Sequence, residues 1–199
     1  MTTILVATTN PSKLRETLAI LEGLPVELRT LADYDGLQIA EESGRSFAEN
    51  ARQKGLHYAH ATGLLTLAED SGFEIDALDG APGVYSARFG GEEATYPARF
   101  EEIFRRLRER GQPQSPARFV CAIALAAGGR ILFETQGVVE GFVAPEPRGQ
   151  QGFGYDPIFF YPPYGRTFGE VSAEEKSAVS HRGSAMRALR LFLEAQRIA

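Results

Sequence analysis

The chain has 199 residues, 43% apolar and 24% charged, enough to bury a substantial core without help from metals or disulfides. Its formal net charge of −5 argues against a general nucleic-acid surface, which needs a basic face, yet still suits a nucleotide whose phosphates meet a few local cations. The single cysteine, Cys121, excludes an internal disulfide and a cysteine-built zinc site, and the longest apolar stretch, residues 119–127, falls far short of the roughly 20 residues that a membrane span takes.

Residues 4–8 read as a short buried strand. No positively charged segment precedes it, so the expectation is a soluble, cytoplasmic protein with no leader and no membrane partner. Asn10 suits a helix N-cap and Pro11 the first helical position; Leu14, Leu18 and Leu21 follow at helical spacing and Gly23 closes the helix. A second strand, 26–31, leads into a polar loop carrying Glu41, Glu42 and Gly44. Ser46 to Glu49 has the form of a capping box and opens a helix to about Ala61. Residues 64–68 form a strand expected to end at Glu69-Asp70-Ser71-Gly72. The stretch 79–97, with GAPGVYSARFGG, is a shaped loop. A charged helix covers about 99–110, and 119–126 with 130–139 read as a hairpin around Gly128-Gly129, with Cys121 a small buried hydrophobe. A glycine-rich stretch, 149–156, precedes the aromatic run PIFFYPPYG. Ser172 to Glu175 forms a second capping box, and after a break at 180–183 the last helix presents Ala185, Leu189, Phe192 and Leu193 on one face. No linker separates independent domains. Helices alternate with strands early and hairpins dominate later, which implies an α/β fold with a mixed sheet and a cleft.

Four constellations could carry chemistry. In Thr8 to Lys13 a helix N-terminus offers backbone N–H groups and a partial positive charge to an anion, with Thr8, Thr9 and Asn10 adding donors and Lys13 a cation. The alternative there is an ordinary Asn-capped helix. In LAEDSG, side-chain alternation prevents both acids from pointing the same way, so one faces the space beyond the strand end, where it can hold Mg2+ or accept a proton from water; the alternative is an acidic turn. Glu41 or Glu42 could add a metal carboxylate, and Lys54 could face phosphates, although solvated acids and a solvated helix lysine are the ordinary cases. In QGFGYDP, Gly152 and Gly154 permit close backbone approach, Phe153 and Tyr155 offer faces for stacking, and Asp156 can accept from base nitrogens; a turn with core aromatics is the alternative. In EEKSAVSHRG, the donors Lys176, Ser180, His181 and Arg182 gather around a helix break.

Taken in order, TTNPSK, the EE-x-G loop, SFAENA-x-x-K, EDSG, GAPGVYSARF, GFGYDPIF and EKSAVSHRG resemble the inosine triphosphate pyrophosphatase family, the RdgB/HAM1 type, over nearly the whole chain. The resemblance implies a single ITPase-like domain, residues 1–199, with a long central mixed sheet and two lobes flanking a nucleotide-binding cleft, as a homodimer. It implies Mg-dependent hydrolysis of ITP, dITP or XTP to the monophosphate and pyrophosphate. Carried over residue by residue, Thr8, Thr9, Asn10, Pro11, Ser12 and Lys13 would bind the triphosphate with Lys54 and Ser71. Glu41 and Asp70 would hold the metal, and Asp70 would act as general base. Phe153 would stack on the base, while Gly154, Tyr155, Asp156, Lys176, His181 and Arg182 would line its pocket, with Arg182 donating to a 6-keto oxygen. Of 21 cationic side chains only Lys13, Lys54 and Lys176 are lysine, and all three fall on these positions. The family pattern is commonly DDSG; here the first acid is Glu69, one methylene longer. Two other readings remain open: a pyrophosphatase of the Maf type acting on other modified nucleotides, and a module stacking RNA bases on Phe153, Tyr155 and Tyr161.

Overall fold

In the computed structural model, which describes residues 2–196, seven strands form one mixed sheet. They are β1 (Thr2–Ala7), β2 (Val26–Thr30), β3 (Leu65–Ile75), β4 (Pro116–Ala127), β5 (Arg130–Val143), β6 (Phe159–Tyr161) and β7 (Arg166–Thr167), in the order β2-β1-β3-β4-β5-β6-β7. β1 runs parallel to β2 and β3, whereas β5–β6 and β6–β7 are antiparallel, as the early alternation and late hairpins imply. The helices are α1 (Pro11–Leu21), α2 (Phe47–Thr62), α3 (Tyr96–Glu109), α4 (Ala173–Val179) and α5 (His181–Ala195). The chain divides into two units. The first comprises residues up to Asp70, Cys121–Gly137 and His181 onward, and the second Ser71–Val120 and Val138–Ser180.

In the first unit the apolar runs of β1 and β3 are covered on both faces, which is why they show no polar alternation. Ile4 and Leu67 join Leu21, Cys121, Ile123, Leu189 and Leu193 in one core, while the adjacent Leu5 and Ala68 join Ala40 and Tyr58 in another. Successive strand side chains point to opposite faces, so α1 and α5 cover one face and α2 the other. Leu189 and Leu193 of α5 are fully buried; truncating either to Ala would cost about 2–5 kcal/mol. The second unit is built on aromatic packing: Phe73 lies against Phe119 at 5.0 Å and Tyr155 at 5.2 Å between centroids, with Ile103 and Leu107 of α3 in the same core.

Of the boundaries that differ from the sequence expectations, three have a plain physical cause. The strand expected to stop before Glu69 runs on to Ile75, because Phe73 and Ile75 have an apolar core to enter in the second unit and keep the turn-like EDSG segment extended. α3 starts at Tyr96 rather than near 99: Thr95 Oγ1 accepts from Ala98 N at 3.4 Å, and Pro97 sits in the first turn, where its missing N–H is not needed. The break before the last helix narrows to Ser180, so His181, Arg182 and Gly183 form the first turn of α5. The two expected capping boxes also diverge. At Ser172 both reciprocal bonds form, but at Ser46 only the hydroxyl bond from Glu49 N does, and the Glu49 carboxylate instead takes the Arg45 N–H at 2.7 Å.

Candidate active site

β1 ends at Ala7, opposite Ala68 of β3. The next two residues of β3, Glu69 and Asp70, therefore lie past the end of that neighbour, and alternation sends them to opposite layers of the first unit. Glu69 faces α1 and α5. Arg182 Nε donates to its two oxygens at 3.2 and 2.8 Å, and Lys13 Nζ lies 3.6 Å from Oε1. Arg182 Nη1 also donates to Glu16 of α1 at 2.5 Å, and the Cys121 thiol donates to Glu69 at 3.6 Å. Asp70 faces α2, where Asn50 Nδ2 donates to its Oδ2 at 2.8 Å. Glu69, Asp70, Arg182 and Asn50 are all buried.

The two acids differ in what opposes the cost of burial. At Glu69, burial would raise the pKa, but the charges of Arg182, Lys13 and Lys54 and the Arg182 hydrogen bond outweigh it and hold the carboxyl at about 2. At Asp70 burial dominates: Lys13, the Asn50 hydrogen bond and Lys54 offset it only in part, Glu42 adds to it, and the pKa lies above the ordinary aspartate value. A carboxylate so placed is the better proton acceptor of the two.

Around Asp70 stand the expected cations. Lys54 Nζ donates to the Glu69 carbonyl at 3.1 Å and pairs with Glu42. Lys13 is half-buried on the first turn of α1. At that helix end Asn10 Oδ1 accepts from Ser12 N at 2.9 Å and Lys13 N at 3.1 Å, Thr8 Oγ1 accepts from Asn10 N at 3.2 Å, and Pro11 has no N–H. The amides expected to await an anion are thus met by the cap, which leaves the helix field, the exposed Thr9 and Lys13 as the anion-facing groups. Glu41 is exposed on the preceding loop. Among the described residues no three His, Cys, Asp or Glu side chains converge on a metal cage. Mg2+ is nevertheless compatible with this donor set, since it is commonly held by one or two carboxylates together with substrate phosphates and water.

The expected base-binding residues fall into both units. In the second, Lys176 Nζ donates to Asp156 Oδ2 at 2.6 Å and lies 4.5 Å from the centre of the half-buried Phe153 ring. The same carboxylate oxygen accepts from Phe153 N at 2.7 Å. A Cβ on Gly152 would stand 2.1 Å from that oxygen, so only glycine, at φ +70°, permits this turn. Gly154 is half-buried near Tyr96, and Ser71 is half-buried at the start of the unit. Tyr155 departs from its expected role: it is buried against Phe73 and donates its hydroxyl to the Ser86 carbonyl at 2.8 Å, so it shapes the core rather than presenting a face. Tyr161 is partly buried against the same core, 5.1 Å from Tyr164, and this packing removes the aromatic platform that the RNA-stacking reading needs. His181 and Arg182 lie in the first unit, both buried. Two of the Arg182 guanidinium nitrogens, Nε and Nη1, serve Glu69 and Glu16 within that unit.

Sequence reasoning passed over Asn50 and Glu16. Asn50 carried a readable signal, a polar residue in register with Phe47, Ala51 and Tyr58 on the buried face of α2. Glu16 carried none, since its partner lies 166 residues away.

Fold and site together define an α/β protein with two lysines and a buried carboxylate just past the end of the parallel strand β1, the equipment of a protein that handles a phosphorylated ligand. The Ham1 family model matches residues 4–192, and the chain belongs to that family. It is 45% identical over 190 residues to the dITP/XTP pyrophosphatase of Geobacter sulfurreducens, across 96% of each chain. To the dITP/XTP pyrophosphatase of Thermus thermophilus it is 46% identical over 186 residues, 94% of this chain and 89% of the relative. Among solved structures, a HAM1 protein from Coxiella burnetii matches with a TM-score of 0.92 at 40% identity, covering 98% of this chain and all of that one. Among the described residues no helix is long and apolar enough to cross a membrane.

Proposed function

We propose that this chain hydrolyses the deaminated purine nucleoside triphosphates ITP, dITP and XTP to the monophosphate and pyrophosphate, with Mg2+, as a cytoplasmic homodimer that removes them from the nucleotide pool. The observation that carries the chemistry is Asp70, buried just past the end of β1 with its pKa raised and with Lys13 and Lys54 near enough to act on its charge. The substrate class is supported by family membership and by relatives named dITP/XTP pyrophosphatases. These also favour this reading over the Maf-type alternative.

In this reading the oxygen of a water bonds to the α-phosphorus as the bond from that phosphorus to the bridging oxygen breaks. The electron pair leaves with pyrophosphate, and the water's proton passes to Asp70. Lys13 and Lys54 offset the charge growing on the leaving group, and Thr8, Thr9, Asn10, Pro11 and Ser12 set the helix end, with Ser71, around the phosphates. Glu41 and Asp70 would hold Mg2+, which when bound neutralises phosphate oxygens. In the second unit Phe153 stacks on the base, and Asp156 holds Lys176 against that ring. Lysine only donates, so a 6-keto oxygen satisfies Lys176, while the 6-amino group of adenine would set donor against donor.

Pyrophosphate release measured side by side from ITP, XTP, GTP and ATP with Mg2+ tests this. ITP and XTP should turn over far faster than ATP; equal rates on ITP and ATP would sink the specificity argument, and no release from ITP or XTP would sink the function.

A further inference from the structure

The loop that carries Glu41 and Glu42 is fastened along α2 by side chains of that helix. Tyr58 Oη accepts from Ala40 N at 3.2 Å, His57 Nε2 lies 2.7 Å from the Gln38 carbonyl, Glu49 accepts from Arg45 N at 2.7 Å, and Lys54 pairs with Glu42. Asn50 and Lys54 also reach strand β3, Lys54 through the Glu69 carbonyl and Asn50 through the Asp70 carboxylate itself. Asn50 Oδ1 accepts from Gly44 N at 2.8 Å, while its Nδ2 donates to Asp70 Oδ2 at 2.8 Å. The amide has one satisfactory orientation, because a backbone N–H can only donate and an ionised carboxylate can only accept. It is also 1% exposed, so water cannot stand in for either bond. Gly44 completes the fit. A Cβ there would lie 2.6 Å from Asn50 Oδ1 and 2.8 Å from Glu49 Cβ, so any larger residue pushes the loop off the helix.

We propose that Asn50 is a positioning residue for the hydrolytic reaction: it fixes one oxygen of Asp70 and locks the Glu41–Gly44 loop to the same point, so that the acids of loop and strand are held at a set separation before any ligand arrives. The inference rests on the nucleotide-hydrolase reading. It goes beyond that reading by giving a catalytic part to a residue that touches no reacting atom. Outer groups that orient a carboxylate in this way commonly change activity or metal affinity by about 10–100-fold. Because Asn50 meets the base and the loop rather than the substrate, its loss should appear in kcat and in the Mg2+ requirement, not in KM for the nucleotide.

Three variants separate its two bonds. Asn50→Asp keeps an acceptor for Gly44 N–H and loses the donor to Asp70; Asn50→Ala loses both; Gly44→Ala leaves Asn50 intact and displaces the loop. Hydrogen exchange of the Gly44 amide is read in metal-free, nucleotide-free protein, and kcat, KM for ITP and the Mg2+ concentration for half-maximal rate are read beside it. In Asn50→Ala the Gly44 amide should exchange at least about tenfold faster and kcat should fall about 10–100-fold, with KM for ITP within about threefold of wild type. In Asn50→Asp the amide should stay protected while kcat falls as far. In Gly44→Ala the half-maximal Mg2+ concentration should rise about tenfold. If both Asn50 variants keep kcat within about threefold of wild type, or if KM for ITP rises in step with the fall in kcat, the proposal is overturned. Unchanged Gly44 exchange in Asn50→Ala overturns the loop tie on its own, whatever the activity. Loss of ITP turnover in the wild type would instead count against the nucleotide reading, so the two failures are distinguishable.

Discussion

Glu69 and Asp70 are chain neighbours, both buried, and differ by one methylene, yet their surroundings give them opposite characters. Glu69 points into the α1–α5 layer and meets an arginine that is itself buried. Asp70 points toward α2 and receives the Asn50 amide, with the charges of Lys13 and Lys54 also acting on it. A buried arginine and two lysines outweigh burial at one carboxyl and drive it down to about 2, while at the other burial outweighs the lysine charges and the amide bond, and the pKa rises. Burial alone therefore does not decide whether an acid holds structure or moves a proton; its balance against the surrounding charges does.

The largest expected effect tests the proton-moving side. Asp70→Asn should lower kcat for ITP by about 10²–10⁴-fold. Its melting temperature should not fall, because the substitution removes a carboxyl that burial disfavours, and calorimetry beside the rate assay reads both. The partner side should respond the other way. Glu69→Gln leaves the buried Arg182 without its main counter-charge and should cost about 3–5 kcal/mol in urea unfolding, with a smaller loss of rate than Asp70→Asn.

Acid sharpens the contrast. Glu69 falls from an ordinary 4.5 to about 2 on folding, so its contribution is full above 4.5 and disappears as pH drops from there through 2. The shift corresponds to about 3 kcal/mol. Asp70, with a raised pKa, has the opposite sign: it favours the fold at low pH and loses that contribution as pH climbs from its ordinary 3.8 through the raised value. Urea midpoints between pH 2 and 5 should therefore slope less steeply in Glu69→Gln and more steeply in Asp70→Asn than in wild type. The smallest effect lies in the second unit, where Lys176→Met should cut the preference for ITP over ATP by about tenfold, read as a ratio of kcat/KM values.

Much of this was legible in the chain. The period-2 rule alone separated Glu69 from Asp70, and Asn10-Pro11 marked the start of α1. The end of β3 was not legible, because Asp, Ser and Gly read as a turn unless a core is known to be waiting for Phe73 and Ile75. Nor was the fate of Tyr155, since a tyrosine beside glycines suits a ligand face as well as the core, and only the Ser86 carbonyl decides it. The protein partners of Arg182 were not legible either, because Glu69 and Glu16 reach it through tertiary packing that no local spacing encodes.

The most direct test is pyrophosphate release from ITP with Mg2+ by Asp70→Asn beside Glu69→Gln, with ITP binding measured in both. The account requires that Asp70→Asn still binds ITP but releases almost no pyrophosphate, while Glu69→Gln stays measurably active though less stable. Wild-type turnover by Asp70→Asn would contradict it.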